Sequence, residues 1–513
     1  MLRLLLVQAV FGVGTWMGEG EEGDGIGMGL AKGVEVRGVR GAGGDGLGRR
    51  LVALRPFCAG DTVACSAPMV RAVNDVHRQV VCHGCLDVLP STVVRCKGCA
   101  VGYCSMECAR GAKREHKAEC AAVRALENAG IADGRGLCLF ASLLDRARRG
   151  EKTRKRGGGD DEFSAFLELQ AEVGDEVKSA EYAKTARGLA PLVGLEDDDG
   201  GEVAYLASLI ARAHTNLHGI VDRRGRLVGS GVYVMPSYLN HSCAPNCVTS
   251  FGAGGRLRVV AVRPVSEGED LCIAYADVLA SRETRRVCLE RAKHFFCECG
   301  RCVAPPARDA TLTAWRDPGR ADAELLRSWV SERVHLEALG RQGERVGPRF
   351  RALIDAMERQ LMPHHEQLCR AHQGLWQSES SGEQGEQDPG DARADGDLVD
   401  VYVSLDHCLE AVEALCPGAW HPQGATLLAK LSECLVQRTL HALETGALAH
   451  LPGAARRSVV EELVREARMC LVRSELRAAW TRGDQDYARL PRSPAAKRAH
   501  ALCALVATAR QGK

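Results

Sequence analysis

The chain is short of net charge, of aromatic side chains and of long apolar runs. Its 67 Lys and Arg against 66 Asp and Glu leave a formal net charge of +1. Charge alone therefore gives no reason to expect nucleic-acid binding. Aromatic residues make up only 4%. Apart from the opening residues, no run of ~20 apolar residues occurs, so no membrane-spanning helix is expected. The opening MLRLLLVQAVFGVGTW resembles a short secretory or organelle-targeting segment. It lacks a convincing cleavage site, and residues 1–18 are read as a start-site extension or leader.

Glycine and cysteine are plentiful. Many of the 56 Gly lie near the start, where Gly18 to Gly48 has little to bury and is expected to be disordered. Of the 23 Cys, seven fall between Cys82 and Cys120, and three lie close together at Cys297, Cys299 and Cys302. An odd total in CxxC and CxC spacings fits metal thiolates better than a disulfide framework. Such thiols place the protein in a reducing compartment, cytoplasm and nucleus. With 513 residues, 45% apolar and 26% charged, the chain has room for two or three domains.

Order is expected to begin near Arg49. RRLVALRPF and DTVACSAPMV read as strands around a turn at Ala59-Gly60. From Ala121 to Ala147 the pattern is helical. The basic run Arg146 to Arg156 reads as a solvated loop between helices, although a nuclear-import or nucleic-acid contact has the same composition. EDDDGG, from Glu196 to Gly201, is a second polar break. YLASLIARAHTNLHGI starts helical, and RLRVVAVRPV and DLCIAY read as strands around the turn SEGED. After Cys302 the pattern is helical, with a disordered loop expected near 377–397.

The cysteine-rich stretch supplies eight soft ligands: Cys82, Cys85, Cys96, Cys99, Cys104, Cys108, His116 and Cys120. That is enough for two closed tetrahedral zinc sites, which are structural and activate no water. Each CxxC can fold as a knuckle. Cys104 and Cys108, like His116 and Cys120, are spaced to share a helix face. So short a segment cannot build a core, so the metals supply most of its folding energy.

Further on, Asn240-His241-Ser242-Cys243-Ala244-Pro245-Asn246-Cys247 forms a dense polar string. DLCIAYAD carries Tyr275 at a strand end, and FFCECGRC follows. The three thiols of the last motif lack a fourth zinc ligand, for which Cys243, Cys247, Cys272 and Cys288 all qualify chemically.

The first pattern, with Tyr103 before Cys104, resembles the MYND zinc finger. NHSCxPN, a strand ending in Tyr and then CxCxxC resemble the SET domain with its post-SET zinc motif. Together they resemble the SET and MYND domain protein-lysine methyltransferase family. The resemblance covers Gly46 to Cys302, and extends more weakly to the C-terminal helices, where WHPQGATLLAKL and EARMCLVRSELRAAWTRGDQD look like that family's tetratricopeptide-like domain.

The resemblance implies an α+β fold in which a β-rich SET domain is interrupted by a two-zinc finger and a helical insert. The expected parts are a leader (1–45), a first SET part (46–81), the finger (82–120), the insert (121–200), a second SET part (201–280), the post-SET motif (281–305) and a helical C-terminal domain (306–513). It pairs Cys82, Cys85, Cys104 and Cys108 on one ion, and Cys96, Cys99, His116 and Cys120 on another. Cys243 joins Cys297, Cys299 and Cys302 on a third.

It further implies S-adenosylmethionine held by Gly46, Gly48, Asn216, Asn240 and His241, with Phe295 or Phe296 stacking on adenine and Tyr275 as the active-site Tyr. The implied activity is methylation of a target lysine in histone or other proteins, with a proline-rich peptide as a further partner of the finger. No membrane partner is expected, and direct nucleic-acid binding is not favoured.

Three positions depart from the pattern. Arg50 replaces the second glycine of the family's GxG loop, and Lys293 or His294 stands where a channel Tyr is usual. His214 stands where an acid is common. They motivate an alternative, a catalytically weakened scaffold that binds partners through the finger and the helical domain.

Overall fold

The computed structural model describes residues 33–481, apart from 41–46, 75–76, 100, 129–135, 155–160, 172–175, 194, 196–200, 223–226, 294, 382–394, 417–421 and 445–451. Among the described residues no helix is long and apolar enough to cross a membrane.

Four strands precede the cysteine-rich stretch: β1 (Val34–Arg40), β2 (Leu47–Ala53), β3 (Thr62–Ser66) and β4 (Val70–Val73). A two-residue ribbon follows, β5 (Val94–Arg95) and β6 (Gly102–Tyr103). Then come helices α1 (Met106–Asn128), α2 (Leu137–Arg154), α3 (Asp161–Leu167), α4 (Glu176–Leu189) and α5 (Gly201–Thr215). The chain returns to strands with β7 (Leu217–Val221), β8 (Leu227–Val232), β9 (Asn240–His241), β10 (Cys247–Phe251), β11 (Leu257–Ala261) and β12 (Asp270–Ile273).

Three small sheets result, in orders β1-β2-β12-β9, β10-β11-β3 and β4-β8-β7. Each pairs a strand from before the insertion with one from after it, antiparallel in β2–β12, β3–β11 and β4–β8. The sheets therefore close only when the two halves meet. The reason lies in the side chains: β11, LRVVA, buries Leu257, Val259, Val260 and Ala261. Helix α5 buries Val203, Leu206, Leu209, Ile210 and Ala213, a stripe of period 3.6 that faces the same core.

After β12 the chain is helical: α6 (Arg282–Lys293), the short turn α7 (Gly300–Val303), α8 (Ala323–Arg341), α9 (Gly347–Glu358), α10 (Glu366–Ser381), α11 (Asp395–Leu415), α12 (Pro422–Glu444) and α13 (Gly453–Thr481). From α9 onward each helix packs on the next. Their shared core includes Phe350, Met357, Leu368, Leu375, Leu405 and Leu431.

Several expectations need correction. Part of the glycine-rich leader is ordered: Val34–Arg40 pairs with β2 over its whole length, and Val34 is buried. The basic run is helical through Arg154 as part of α2, where Arg146 bonds the Met69 carbonyl and Glu162, and Arg149 pairs with Asp145. The rest of that run lies outside the described residues. Both ends of the expected disordered loop are helical, because α10 continues to Ser381 and α11 begins at Asp395. Residues 382–394 lie outside the described residues, as do 1–32 and Glu196 to Gly200.

Candidate functional site

In the cysteine-rich module, Cys82, Cys85, Cys104 and Cys108 bring their sulfurs within 4.8 Å of one another, and so do the ligand atoms of Cys96, Cys99, His116 and Cys120. A tetrahedron of zinc–sulfur bonds of about 2.3 Å has an edge of about 3.8 Å. Cys85–Cys104 at 3.6 Å, Cys104–Cys108 at 3.4 Å and Cys96–Cys120 at 3.9 Å are close to that edge. The donor sets thus fit zinc.

The knuckle geometry is explicit in the backbone. The amides of Gly84 and Cys104 donate to Cys82 Sγ at 3.3 Å, and the amide of Gly98 donates to Cys96 Sγ at 3.3 Å. Against the opposing effect of burial, a bond from the Cys85 thiol and then the amides of Cys104, Cys85 and Gly84 hold the Cys82 thiol down to about 4. A Cβ on Gly84 would fall 2.7 Å from Cys108 Cβ, so only glycine lets the knuckle close on the start of α1. Cys104 itself precedes α1, which begins at Met106, so the expected shared helix face holds for His116 and Cys120 alone. His116 turns Nε2 toward Cys99 at 3.4 Å, while Nδ1 lies 3.6 Å from Glu119, a carboxylate–histidine arrangement that orients the ring.

The third cluster assembles Cys243, Cys297, Cys299 and Cys302. Cys243 Sγ lies 3.5 Å from Cys302 and 3.9 Å from Cys297. Of the four chemically possible partners, Cys243 is the one brought there. Two arginines that no motif singled out, Arg285 and Arg301, flank it. Arg285 in α6 is 0% exposed, with Nη2 4.0 Å from Cys302 Sγ. Burial works against its charge, but Cys243 and Cys302 raise its pKa, so it remains a cation facing thiolates. Arg301 donates to the carbonyls of Cys243 and Val278 and forks onto Asp309 at 2.8 and 3.0 Å.

His241 joins this cluster to the rest of the site. The Tyr275 amide donates to its Nδ1 at 2.9 Å, so the ring proton sits on Nε2, which faces Cys243 Sγ at 3.2 Å. Burial, then the Arg285 charge, holds His241 down to about 4, so the ring is neutral. Both nitrogens are thereby engaged within the protein. One face meets Tyr275, at 5.4 Å between centroids, and Phe295 lies at 5.9 Å.

Tyr275 keeps 38% of its surface exposed while its hydroxyl points inward and donates to the Leu239 carbonyl. Burial pushes that phenol up to about 12, so it is neutral at physiological pH. Asn240 is exposed, pairs in parallel with β12 and reaches the Arg49 carbonyl of β2 at 3.3 Å. Asn216 ends α5, where its Nδ2 bonds the Arg212 and Gln170 carbonyls. Phe296 turns away, 57% exposed beneath the Arg286 guanidinium. Gly48 lies in β2, and Gly46 lies outside the described residues.

Of the departures, Arg50 sits in regular strand opposite Arg37 and pairs with Asp270 at 2.9 Å, so it strains no left-handed backbone. Lys293 reaches into the site from the end of α6. Its Nζ donates to the Thr215 carbonyl at 2.6 Å and lies 5.5 Å from the centre of the Tyr275 ring. His214 meets the Tyr182 hydroxyl at 3.1 Å, and His294 lies outside the described residues.

Residues 48–276 match the SET domain family. The histone-lysine N-methyltransferase SMYD3 of Mus musculus is 28% identical over 263 residues, covering 50% of this chain and 59% of that protein. The N-lysine methyltransferase SMYD2 of Homo sapiens is 29% identical over 287 residues, covering 54% and 64%. The histone-lysine N-methyltransferase ASHR1 of Arabidopsis thaliana is 26% identical over 261 residues, covering 50% and 53%. The chain thus carries a region that matches the SET domain and is similar over about half its length to these methyltransferases. It spans 59% of the length of the SMYD3 proteins of mouse and human.

Proposed function

We propose that the protein is an S-adenosylmethionine-dependent protein-lysine N-methyltransferase acting on histone or other proteins. The observation that carries this reading is Tyr275, partly exposed beyond the end of β12, with its hydroxyl bonded to the Leu239 carbonyl and its amide tied to His241. The Tyr275 and Phe295 rings and the exposed Asn240 offer apolar faces and an amide around one rim, a donor set that suits the cofactor.

The bound cofactor supplies an electrophilic methyl group. Transfer to an amine is an in-line displacement, so alignment and removal of water matter more than a strong base. The neutral Tyr275 phenol orients the amine, and the amine's proton leaves to solvent. Gly46, Gly48, Asn216, Asn240, His241 and Phe295 are assigned to cofactor binding, with Tyr275 as the catalytic residue. Phe296, turned outward, is the weaker candidate for the adenine stack.

In the same reading Cys82 to Cys120 is a MYND finger with two zinc ions, the Cys243 cluster holds a third, and the helices after 306 form a tetratricopeptide-like domain. A proline-rich peptide is the further partner proposed for the finger, whose surface beside Cys96, His116 and Cys120 carries Arg95, Lys113, Lys117 and Arg124. The free thiols favour cytoplasm and nucleus.

Calorimetry of zinc-replete full-length protein with S-adenosylmethionine, followed by methylation of histones, tests the activity. Tyr275→Phe is expected to keep cofactor affinity and lower turnover by roughly 10²-fold. Absence of cofactor binding would overturn the reading. One observation favours the alternative of a weakened scaffold: the Lys293 cation rests over Tyr275, where the family pattern has an aromatic wall. In that case partner capture survives Tyr275→Phe and is lost in Cys104→Ser.

A further inference from the structure

The helical domain holds a group of ligand-type side chains that neither the SET site nor the cysteine clusters use. Glu358 ends α9, His372 lies within α10 and His407 lies within α11. One ligand atom from each lies within 4.8 Å of the other two. Three helices that pack in succession thus converge on one point.

The polar chemistry at that point is incomplete. His372 is only 2% exposed, in the core between helices. Its Nδ1 is 3.0 Å from the hydroxyl of Ser404, which is itself 2% exposed. Its Nε2 has no hydrogen-bond partner and stands 3.5 Å from Glu358 Oε1. A buried ring nitrogen left in this way is uncommon, because burial removes the water that would otherwise satisfy it. The His407 ring stacks on His372 with centroids 4.0 Å apart and planes at 24°. Two imidazoles and a carboxylate therefore meet around an unsatisfied His372 Nε2, with only the Cys369 thiol, 3.9 Å from His407 Nε2, beside them.

A cation would satisfy that His372 nitrogen. We propose that Glu358, His372 and His407 bind a divalent transition-metal ion of the zinc class, with one coordination position open. Two imidazole nitrogens select such an ion over calcium or magnesium, which take oxygen ligands. The Ser404 contact to Nδ1 leaves Nε2 as the ligating atom and fixes the ring, as outer partners of metal-bound histidines commonly do. Zinc bonds of about 2.0–2.1 Å to nitrogen and oxygen make a tetrahedral edge of about 3.3 Å. The 3.5 Å between His372 Nε2 and Glu358 Oε1 is already near it.

Glu358 is exposed, and with His407, Asp355, Arg316 and Arg359 it borders an open cavity of about 480 Å³. Three protein ligands beside such a cavity leave the fourth position to water or a small anion, unlike the closed cysteine clusters. The ion would tie α9, α10 and α11 together in the lobe that contacts the segment after Tyr275.

The test is metal counting on the full-length protein, saturated with zinc and then equilibrated with a weak chelator. Glu358→Gln changes an exposed carboxylate, and His407→Gln keeps a polar side chain, so both are expected to fold. Each should lower the zinc count per chain by one relative to wild type. The cobalt-substituted variants should keep the full thiolate-to-metal absorption of the cysteine clusters, losing only weak ligand-field intensity. An unchanged count in both variants would overturn the site, as would a lost ion accompanied by lost thiolate absorption. Neither readout depends on methyl transfer, so failure here leaves the enzymatic reading standing.

Discussion

Lys293 is the residue whose chemistry conflicts most with its surroundings. In the proposed reaction a sulfonium cofactor would bring positive charge toward Tyr275, and Lys293 Nζ already lies 5.5 Å from that ring. Together with burial, its charge also helps hold the neighbouring His218 down to about 4. Lys293→Tyr removes the competing cation and supplies an aromatic wall. We expect turnover to rise on the order of tenfold, about 1.4 kcal/mol of barrier, in a steady-state methylation assay. A fall in both turnover and cofactor affinity would mean that Lys293 is part of the working site.

Leu86 poses a different residue-scale question, because it has φ +64 immediately after the first CxxC knuckle. Left-handed backbone costs a non-glycine residue roughly 1–2 kcal/mol. Yet Leu86 is 5% exposed, and burying a leucine contributes about 1.5–3 kcal/mol, with truncations costing more through the cavity left behind. Burial wins. Leu86→Gly should therefore destabilise the module by about 1–3 kcal/mol despite relieving the backbone. The midpoint of denaturant-induced zinc release measures this, and a more stable variant would contradict the ordering of the two effects.

At the scale of elements, the clusters act as hinges between modules. The knuckle seats Leu86 against Gly255, whose φ of +72 and close neighbours leave no room for a side chain. The Gly254 amide bonds the Cys85 carbonyl at 2.9 Å, so the finger is fastened to the β10–β11 turn. Metal removal should unfold the finger while leaving the Leu206–Val259 core folded. Hydrogen exchange after chelation would then show protection lost in α1 and retained in β11. Likewise α6 carries Arg285 into the third cluster. Arg285→Met leaves thiolate charge uncompensated and should cost about 3–5 kcal/mol of that cluster's stability. Arg282→Met on the exposed face of the same helix should change it by less than about 0.5 kcal/mol. Cobalt–thiolate absorption against denaturant separates the two variants.

These elements also explain what was legible beforehand. Ligand spacing exposed eleven of the twelve positions of the three clusters, since metal geometry constrains sequence tightly, while Cys243 was one of four chemically equal candidates and was singled out only by the resemblance. The stretches RRLVALRPF, DTVACSAPMV, RLRVVAVRPV and DLCIAY read as strands directly, whereas their assembly across the insertion came from the resemblance. β1 was hidden because VEVRGVR sits among glycines, and its pairing partner supplies most of its reason to be a strand. The helical course of Arg146–Arg154 was hidden because its compensating acid, Glu162, lies on another helix. Arg285 carried no signal at all, since one arginine among five basic residues of α6 looks like surface.

At the scale of the whole molecule, the helical lobe grips the segment that leads from Tyr275 into α6. Glu366, at the start of α10, is 5% exposed. It accepts from the Ser281 amide at 3.1 Å and the Thr284 hydroxyl at 2.9 Å, and its other oxygen accepts from Arg370 Nε at 3.1 Å. Arg370 in turn pairs at 3.6 Å with Asp277, just past Tyr275. Hydrogen bonds to a charged group contribute about 1.5–3 kcal/mol each, so this one carboxylate outweighs the partly exposed ion pairs of the surface. Glu366→Ala removes the acceptor and leaves a buried amide and a guanidinium without it. The lobe should then move independently of the SET domain, and the Tyr275 segment should lose its support. We expect calorimetric unfolding to separate into two transitions and kcat/KM for the protein substrate to fall roughly tenfold. Cofactor affinity should stay near wild type, because the contacts proposed for it come from the other side of Tyr275, at Asn240 and Phe295. Arg370→Ala, which spares the Glu366 bonds to Ser281 and Thr284, should show a smaller effect of the same sign. A single transition with unchanged kinetics in Glu366→Ala would mean that the lobe is fastened elsewhere and that its grip on this segment does not govern the site.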